Sequence, residues 1–447
     1  MARIEPFRGI RYDTTAEPLD VLVAPPYDVV DDEGRAELAA RSPHNAIVVE
    51  LPADDPDLGL DRYENAARIF ESWLSDGVVA RDDVPTLYVH RMSFLDESGT
   101  TRHTTGVVCA LAVDADGSGD VLPHEQTMPK PKGDRLYLLR STRANLSPIW
   151  GLSLTEGLAK ACEAATSGVT PQRAKDEGVV HEVWPISDPG TIAEITRLVG
   201  ETPVLIADGH HRYETALAFR QECRDANGDQ PGDHDLVMAL IVELAEEELF
   251  VRPIHRLVSG LDGFDFPSEL APFFTVKEGP AAGTDGDDLA AAMASDGALG
   301  LVARSGSWLL EPLAATDEAA GVDLDSSRLD VALAALPEHE LTYQHGRAES
   351  LKALASGSAD AVFLLRPATV AQIAETAHGG RRMPPKTTFF HPKPRTGMVF
   401  RRVQGPEGVV GEAPAVEQQV AAGKRLTLED ERGAVGVAGV GVLRGGV

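Results

Sequence analysis

The sequence predicts an α+β protein built from several domains, and three observations carry that reading. The chain has 447 residues, more than one ordinary hydrophobic core holds, so two or three domains are expected. Its first 110 residues alternate short apolar runs with an amphipathic helical pattern. Its middle holds Pro203-Val204-Leu205-Ile206-Ala207-Asp208-Gly209-His210-His211-Arg212-Tyr213, an apolar run that enters a polar glycine loop and then a helical pattern. That is the layout of a strand, a tight turn and a helix start. Glycine lets backbone approach a ligand closely, and a helix start offers unpaired N–H groups to an anion.

Along the chain, residues 19–24 read as a strand stopped by Pro25-Pro26, with Tyr27-Asp28 at the exit. Residues 46–51 read as a second strand after His44-Asn45. Tyr63, Ala66, Ala67, Phe70 and Leu74 recur at helical spacing and predict a helix over 61–76. Residues 86–94 and 104–113 flank the turn Asp96-Glu97-Ser98-Gly99 and predict a hairpin. Residues 1–110 are therefore assigned to an N-terminal α/β region, and 111–260 to a core that carries the glycine loop. That core opens with Pro123-His124-Glu125-Gln126-Thr127 and a basic segment holding Lys130, Lys132, Arg135, Arg140 and Arg143. Helical patterning covers 155–200, the loop helix runs to about Arg224, and 236–244 reads as a buried strand. Near 260 the composition shifts to Gly, Asp, Ala and Ser, so 261–403 is assigned to a C-terminal α/β region. It ends in a proline and lysine stretch from Met383 to Pro394, read as a rigid extended strap. Residues 404–447 lack periodicity and are expected to form a flexible tail.

Composition bounds the function. A formal net charge of −29 and a pI near 4.8 argue against a general nucleic-acid binder, which needs a basic surface. They equally disfavour attraction to an anionic membrane face. No apolar run reaches the length of a membrane span, and the N-terminus has no apolar signal core. Cys109, Cys162 and Cys223 lie far apart without metal spacing, so a reducing, cytoplasmic setting is expected. Heavy Asp and Glu with mostly Arg as the cation suits a high-salt cytoplasm, and equally an acidic protein of a GC-rich genome.

The chemistry-bearing residues gather at the loop. Asp208 has a plain alternative as the cap of its helix, worth about 1 kcal/mol. A cap alone gives no reason for two imidazoles and a guanidinium beside it. Adjacent histidines do not point into one site from a regular element, and HExxH and CxxC spacings are absent, so zinc is not expected. No GxSxG elbow, GxxxxGKS/T loop or GxGxxG after a strand occurs. The basic segment reads either as a solvated helix face or as an anion site. Glu125, between Pro123 and Pro129, is an acid–base candidate with a surface-loop acid as its alternative.

The set Pro25-Pro26-Tyr27-Asp28-Val29, His44-Asn45, Pro123-His124-Glu125-Gln126-Thr127, Asp208-Gly209-His210-His211-Arg212-Tyr213 and Met383 through Lys393 resembles a widespread bacterial and archaeal family of unknown function, over roughly residues 1–400. The loop also resembles the phosphate-binding box of the ParB/sulfiredoxin-like superfamily. Sulfiredoxins carry a catalytic thiol where this chain has His210, which argues against their redox chemistry. ParB-type proteins add a basic DNA-binding domain, which this acidic chain lacks. Both the Pro-His-Glu-Gln and Asp-Gly-His-His-Arg segments are similar to those of free L-serine kinases.

That resemblance implies a mixed core flanked by α/β regions, Glu125 as general base and Asp208 as a second essential acid. It implies donor phosphates held by Gly209, His210, His211 and Arg212, with pyrophosphate, ADP or ATP as donor. Tyr27, Asp28, His124 and Asn145 are the implied substrate contacts, and free L-serine the implied acceptor. Phosphoryl transfer also needs cations, for which Arg140, Arg143, Lys386 and Lys393 are candidates. Mg2+ is expected to bridge the donor phosphates and Asp208. The insert between Glu125 and Asp208 is longer than in the small kinases. A nucleotide-binding regulator without turnover, and a scaffold protein, remain the rival readings.

Overall fold

The computed structural model describes residues 1–96, 99–114, 117–123, 133–379, 383–384 and 386–404. Among them, helices and several sheets form a mixed α+β architecture. The larger sheet has nine strands, in the order Val121–Pro123, Val204–Asp208, Ile149–Ser153, Leu236–Glu243, Thr101–Ala112, Leu87–Leu95, Val179–Ile186, Gln172–Asp176, with Ile4–Glu5 also paired to Thr101–Ala112. Strands from residues 1–110 and from 111–260 thus share one sheet. Leu236–Glu243 pairs in parallel with Ile149–Ser153 and antiparallel with Thr101–Ala112.

A strand near the middle of a covered sheet needs apolar side chains on both faces, and Leu236–Glu243 supplies them. Met238, Leu240 and Val242 enter one core, and Val237, Ala239 and Ile241 enter the other. The alternation follows from the two-residue repeat of a strand. One face packs against N-terminal helices through Leu22, Ile47, Phe70 and Trp73. The opposite face packs against Leu158, Ile195, Leu198 and Tyr213. Burying a side chain of this size contributes about 1.5–3 kcal/mol.

The expected helix and hairpin appear as Arg62–Ser75 and as Leu87–Leu95 with Thr101–Ala112. Asp61 and Glu64 form a capping box at the helix start, which satisfies two of its unpaired donors. Two expected strands are corrected. Residues 19–24 form the helix Leu19–Leu22, and 46–51 form the helix Ile47–Glu50. Buried Asn45 holds both, because its Nδ2 donates to Val21 O (2.7 Å) and Val23 O (3.0 Å) and its Oδ1 accepts from Ile47 N (2.9 Å). The expected helical stretch 155–200 also contains the strands Gln172–Asp176 and Val179–Ile186.

A second sheet runs Phe274–Glu278, Gly306–Pro312, Leu299–Ala303, Ala361–Leu364, Phe250–Ser259, Glu340–His345, with Thr388–His391 paired to Phe250–Ser259. The strap therefore begins on this second sheet. It then crosses to the first body, where Thr396 pairs with Ala24, Phe400 with Ile10 and Arg401 with Asn145. Among the described residues no helix is long and apolar enough to cross a membrane.

Candidate functional site

The loop strand Val204–Asp208 is buried up to Ala207 and leaves the sheet at Asp208. Gly209 follows with φ of 87°, and the helix His210–Asn227 begins at once. Glycine is required here twice over. Its positive φ is unfavourable for a side chain, and an added Cβ would stand 3.0 Å from Arg212 Nε and 3.1 Å from Ile149 Cγ2. Gly209, not Asp208, occupies the cap position, so the cap residue brings no side chain to the helix start. A helix start presents backbone N–H groups in a direction that suits an anion.

The Asp208 carboxylate instead joins two cations. Its Oδ1 accepts from Lys393 Nζ at 2.8 Å and its Oδ2 from Arg212 Nη2 at 3.0 Å. Lys393, 9% exposed, also donates to Asp28 Oδ2 at 3.0 Å. Arg212 Nη1 donates to the carbonyl oxygen of Pro148. Burial pushes the Asp208 carboxyl up, but Lys393, Arg212 and His210 outweigh it and hold it below its ordinary value. Burial pulls the Lys393 ammonium down, and Asp208 and Asp28 more than restore it, so its pKa is raised. Asp208, Lys393 and Arg212 are therefore charged at neutral pH.

Several expected residues meet here: Asp28, Asp208, Gly209, His210, His211, Arg212 and Lys393. Tyr27 stands close by in the short helix Tyr27–Val29, with the Arg135 guanidinium 4.4 Å from its ring centroid. The His211 Nε2 is buried without a hydrogen-bond partner among the described residues. Lys386 is exposed and near enough to His345 to help lower the pKa of that imidazole, for which burial is the larger cause.

Other candidates are committed elsewhere. Arg140 makes a two-pronged ion pair with Glu222, with Nε 2.9 Å from Oε2. The Arg143 guanidinium is 5.5 Å from the ring of Phe219. Phe219 lies ten positions along the helix from Gly209, about 15 Å by helical rise. Asn145 Oδ1 accepts from Met238 N at 3.0 Å and Arg401 Nη1 at 3.1 Å, so it joins the strap to the sheet.

His124 and Glu125 lie outside the described residues, as do Lys130, Lys132, Pro385 and 405–447. The strand that leads to them is described. Val121–Pro123 pairs in parallel with the loop strand, with Pro123 opposite Ile206.

Sequence reasoning missed Glu50, which is 2% exposed and ends the helix Ile47–Glu50. The available signal was a lone acid closing the apolar run Ile47-Val48-Val49. The described residues do not fit a resident Mg2+. Asp208 has each oxygen occupied by a cation, and no group of three or more metal-binding side chains occurs among them. Octahedral Mg2+ favours free oxygens.

No curated protein matches the chain. Among solved structures it is similar to a free serine kinase in complex with AMP, at 16% identity over 63% of this chain and 86% of that chain, with a TM-score of 0.35. A conserved hypothetical protein from Pyrococcus furiosus matches at 16% identity over 65% of this chain and 93% of that chain, with a TM-score of 0.34. SbnI with a C-terminal truncation, from Staphylococcus aureus, matches at 12% identity over 70% of this chain and 92% of that chain, with a TM-score of 0.34. These superpositions are loose, and no residue role is carried over from them. A family model described as protein of unknown function (DUF1015) matches residues 4–332, and the chain belongs to that family.

Proposed function

We propose that the chain is a small-molecule phosphotransferase, moving a phosphoryl group from pyrophosphate, ADP or ATP onto the hydroxyl of free L-serine. The observation that carries this reading is the parallel pairing of Val121–Pro123 with the loop strand, in which Pro123 stands opposite Ile206. Glu125 is two positions beyond Pro123, and Asp208 is two positions beyond Ile206. A base and an anion-binding loop at one end of a sheet is what attack on a phosphoryl group requires. The loop would act as a ParB/sulfiredoxin-like phosphate box.

In this reading Glu125 takes the proton of the acceptor hydroxyl as its oxygen attacks the terminal phosphorus. The bond from that phosphorus to the leaving phosphate oxygen breaks. The N–H groups of the helix start, with His210 and His211, stabilise the charge that develops. Asp208 fixes Lys393 and Arg212, whose remaining N–H groups face the donor phosphates. Mg2+ enters with the donor as part of the substrate.

The test is incubation with L-serine, Mg2+ and each donor in turn, with O-phospho-L-serine read by mass spectrometry. Product is expected with at least one donor. Glu125→Gln should lower turnover by about 10²–10⁴-fold. A folded chain that yields no product with any donor would sink the reading. Tight nucleotide binding without turnover would then favour a regulator.

A further inference from the structure

Glu50 has no part in the phosphotransfer roles above, yet its carboxylate is buried beside them. Ser147 Oγ donates to its Oε1 at 3.0 Å, and Arg135 Nη1 stands 3.8 Å from the same oxygen. Among the described residues no donor reaches Oε2. Arg135 is already engaged: its Nε and Nη2 meet Asp134 Oδ2 at 2.7 Å and 2.6 Å, and its Nη1 donates to the Glu50 carbonyl oxygen at 2.7 Å. One oxygen of a nearly buried carboxylate is thus left for a donor from outside the described residues. Burial pushes the Glu50 carboxyl up, beyond what Arg135 and Arg212 offset.

Glu50 lines a cavity of about 50 Å³, together with Arg135, Asn145, Ser147, Arg212 and Thr215. That volume takes about three to five water-sized groups. Arg212 is the wall the cavity shares with Asp208. Around cavity and loop, the acids Asp28, Glu50, Asp134 and Asp208 are matched by the cations Arg135, Arg212, Lys393 and Arg401, the last bonded to the lining Asn145. Within that balance Glu50 Oε2 is the carboxylate oxygen left without a donor among the described residues, and such an oxygen favours a cationic donor.

We propose that this cavity is the ammonium pocket of the acceptor, with Glu50 Oε2 receiving the charged amine of a small amino alcohol or hydroxy amino acid. The proposal rests on the phosphotransferase reading and adds what the acceptor must carry beside its hydroxyl. Ser147 and Arg135 are positioning residues that hold the Glu50 carboxylate. Arg212, shared by cavity and loop, sets the separation between amine and reacting hydroxyl.

Three small alcohols test it: L-serine, ethanolamine, which lacks the carboxylate, and 3-hydroxypropionate, which lacks the amine. Calorimetric titration of the full chain should show the two amines binding at least about tenfold more tightly than 3-hydroxypropionate, the yield of one charge-assisted hydrogen bond. Glu50→Gln should narrow the preference for serine over 3-hydroxypropionate by about tenfold, through KM rather than kcat, and Ser147→Ala should narrow it less. Equal binding of all three by the unaltered chain overturns the pocket, as does an unchanged preference in folded Glu50→Gln. If Glu50→Gln does not fold, the unaltered chain and Ser147→Ala decide. Amine-selective binding without phosphoryl transfer sinks the kinase reading and keeps the pocket. Equal transfer to serine and 3-hydroxypropionate sinks the pocket alone.

Discussion

Lys393 and Arg395 stand two positions apart on the strap, are 9% and 6% exposed, and each bridges two acids. Lys393 joins Asp28 to Asp208 at the mouth of a helix start whose cap residue is Gly209. Arg395 joins Asp176 to Glu177 at the turn of a hairpin, where Arg41 adds a third contact at 3.0 Å. The difference lies in the surroundings and in the cation. An arginine fork satisfies two fixed acids and stays charged, which suits a permanent joint. A lysine is a compact charge with rotatable donors, able to turn toward an incoming phosphate. The same burial thus serves a joint at Arg395 and a candidate site at Lys393, two positions apart.

Replacing each cation separates the two roles. Lys393→Met should lower turnover by about 100-fold, as loss of a charged transition-state contact does. Arg395→Met should instead cost about 1.5–3 kcal/mol of stability, because it removes one of the two cations on buried Asp176, Arg41 remaining, and its second partner Glu177 is exposed, with turnover per folded molecule within about threefold of normal. Urea unfolding and product formation on the same samples check both, and an activity loss confined to Arg395→Met would reverse the assignment. A smaller effect is expected at Gly209. Gly209→Ala combines a positive φ with a close Cβ, a strain of about 1–3 kcal/mol, and should weaken donor binding as well as stability.

The loop site and the buried histidines of the larger sheet should also answer differently to acid. His90 and His181 lie 3.3 Å apart, fully buried, and burial lowers both pKa values, that of His90 to about 4. The unfolded chain takes up these protons near pH 6.5, so stability should fall as pH drops from about 6.5 to about 4. The Asp208 carboxyl is depressed, so its stabilising pairing is complete above its unfolded value, near pH 4, and is lost only as pH falls through the lower folded value. Urea midpoints measured between pH 7 and pH 4 should therefore decline, and His90→Gln should flatten that decline. An equal slope in the variant would remove the histidine pair as its cause.

Local patterns made part of this legible. The loop strand, Gly209 and the following helix announce themselves because apolar run, glycine and helical spacing are contiguous. The capping box at Asp61 and Glu64 marks the helix Arg62–Ser75 for the same reason. Leu19–Leu22 and Ile47–Glu50 were misread as strands because a four-residue apolar run has no period to distinguish the two. The partners of Lys393 were not legible at all, since Asp208 is 185 positions away and Asp28 is 365. Arg140 looked like an anion ligand until Glu222, 82 positions on, took its fork. Charge reads easily from sequence, and pairing does not.

Asp208→Asn puts the central claim to the most direct trial, because the change keeps size and removes charge at the residue both cations share. Turnover with saturating L-serine and the best donor should fall by about 10²-fold or more, with the variant still folded in thermal unfolding of the same preparation. A folded Asp208→Asn chain that keeps turnover within about threefold of normal would contradict the assignment of the loop as the phosphotransfer site.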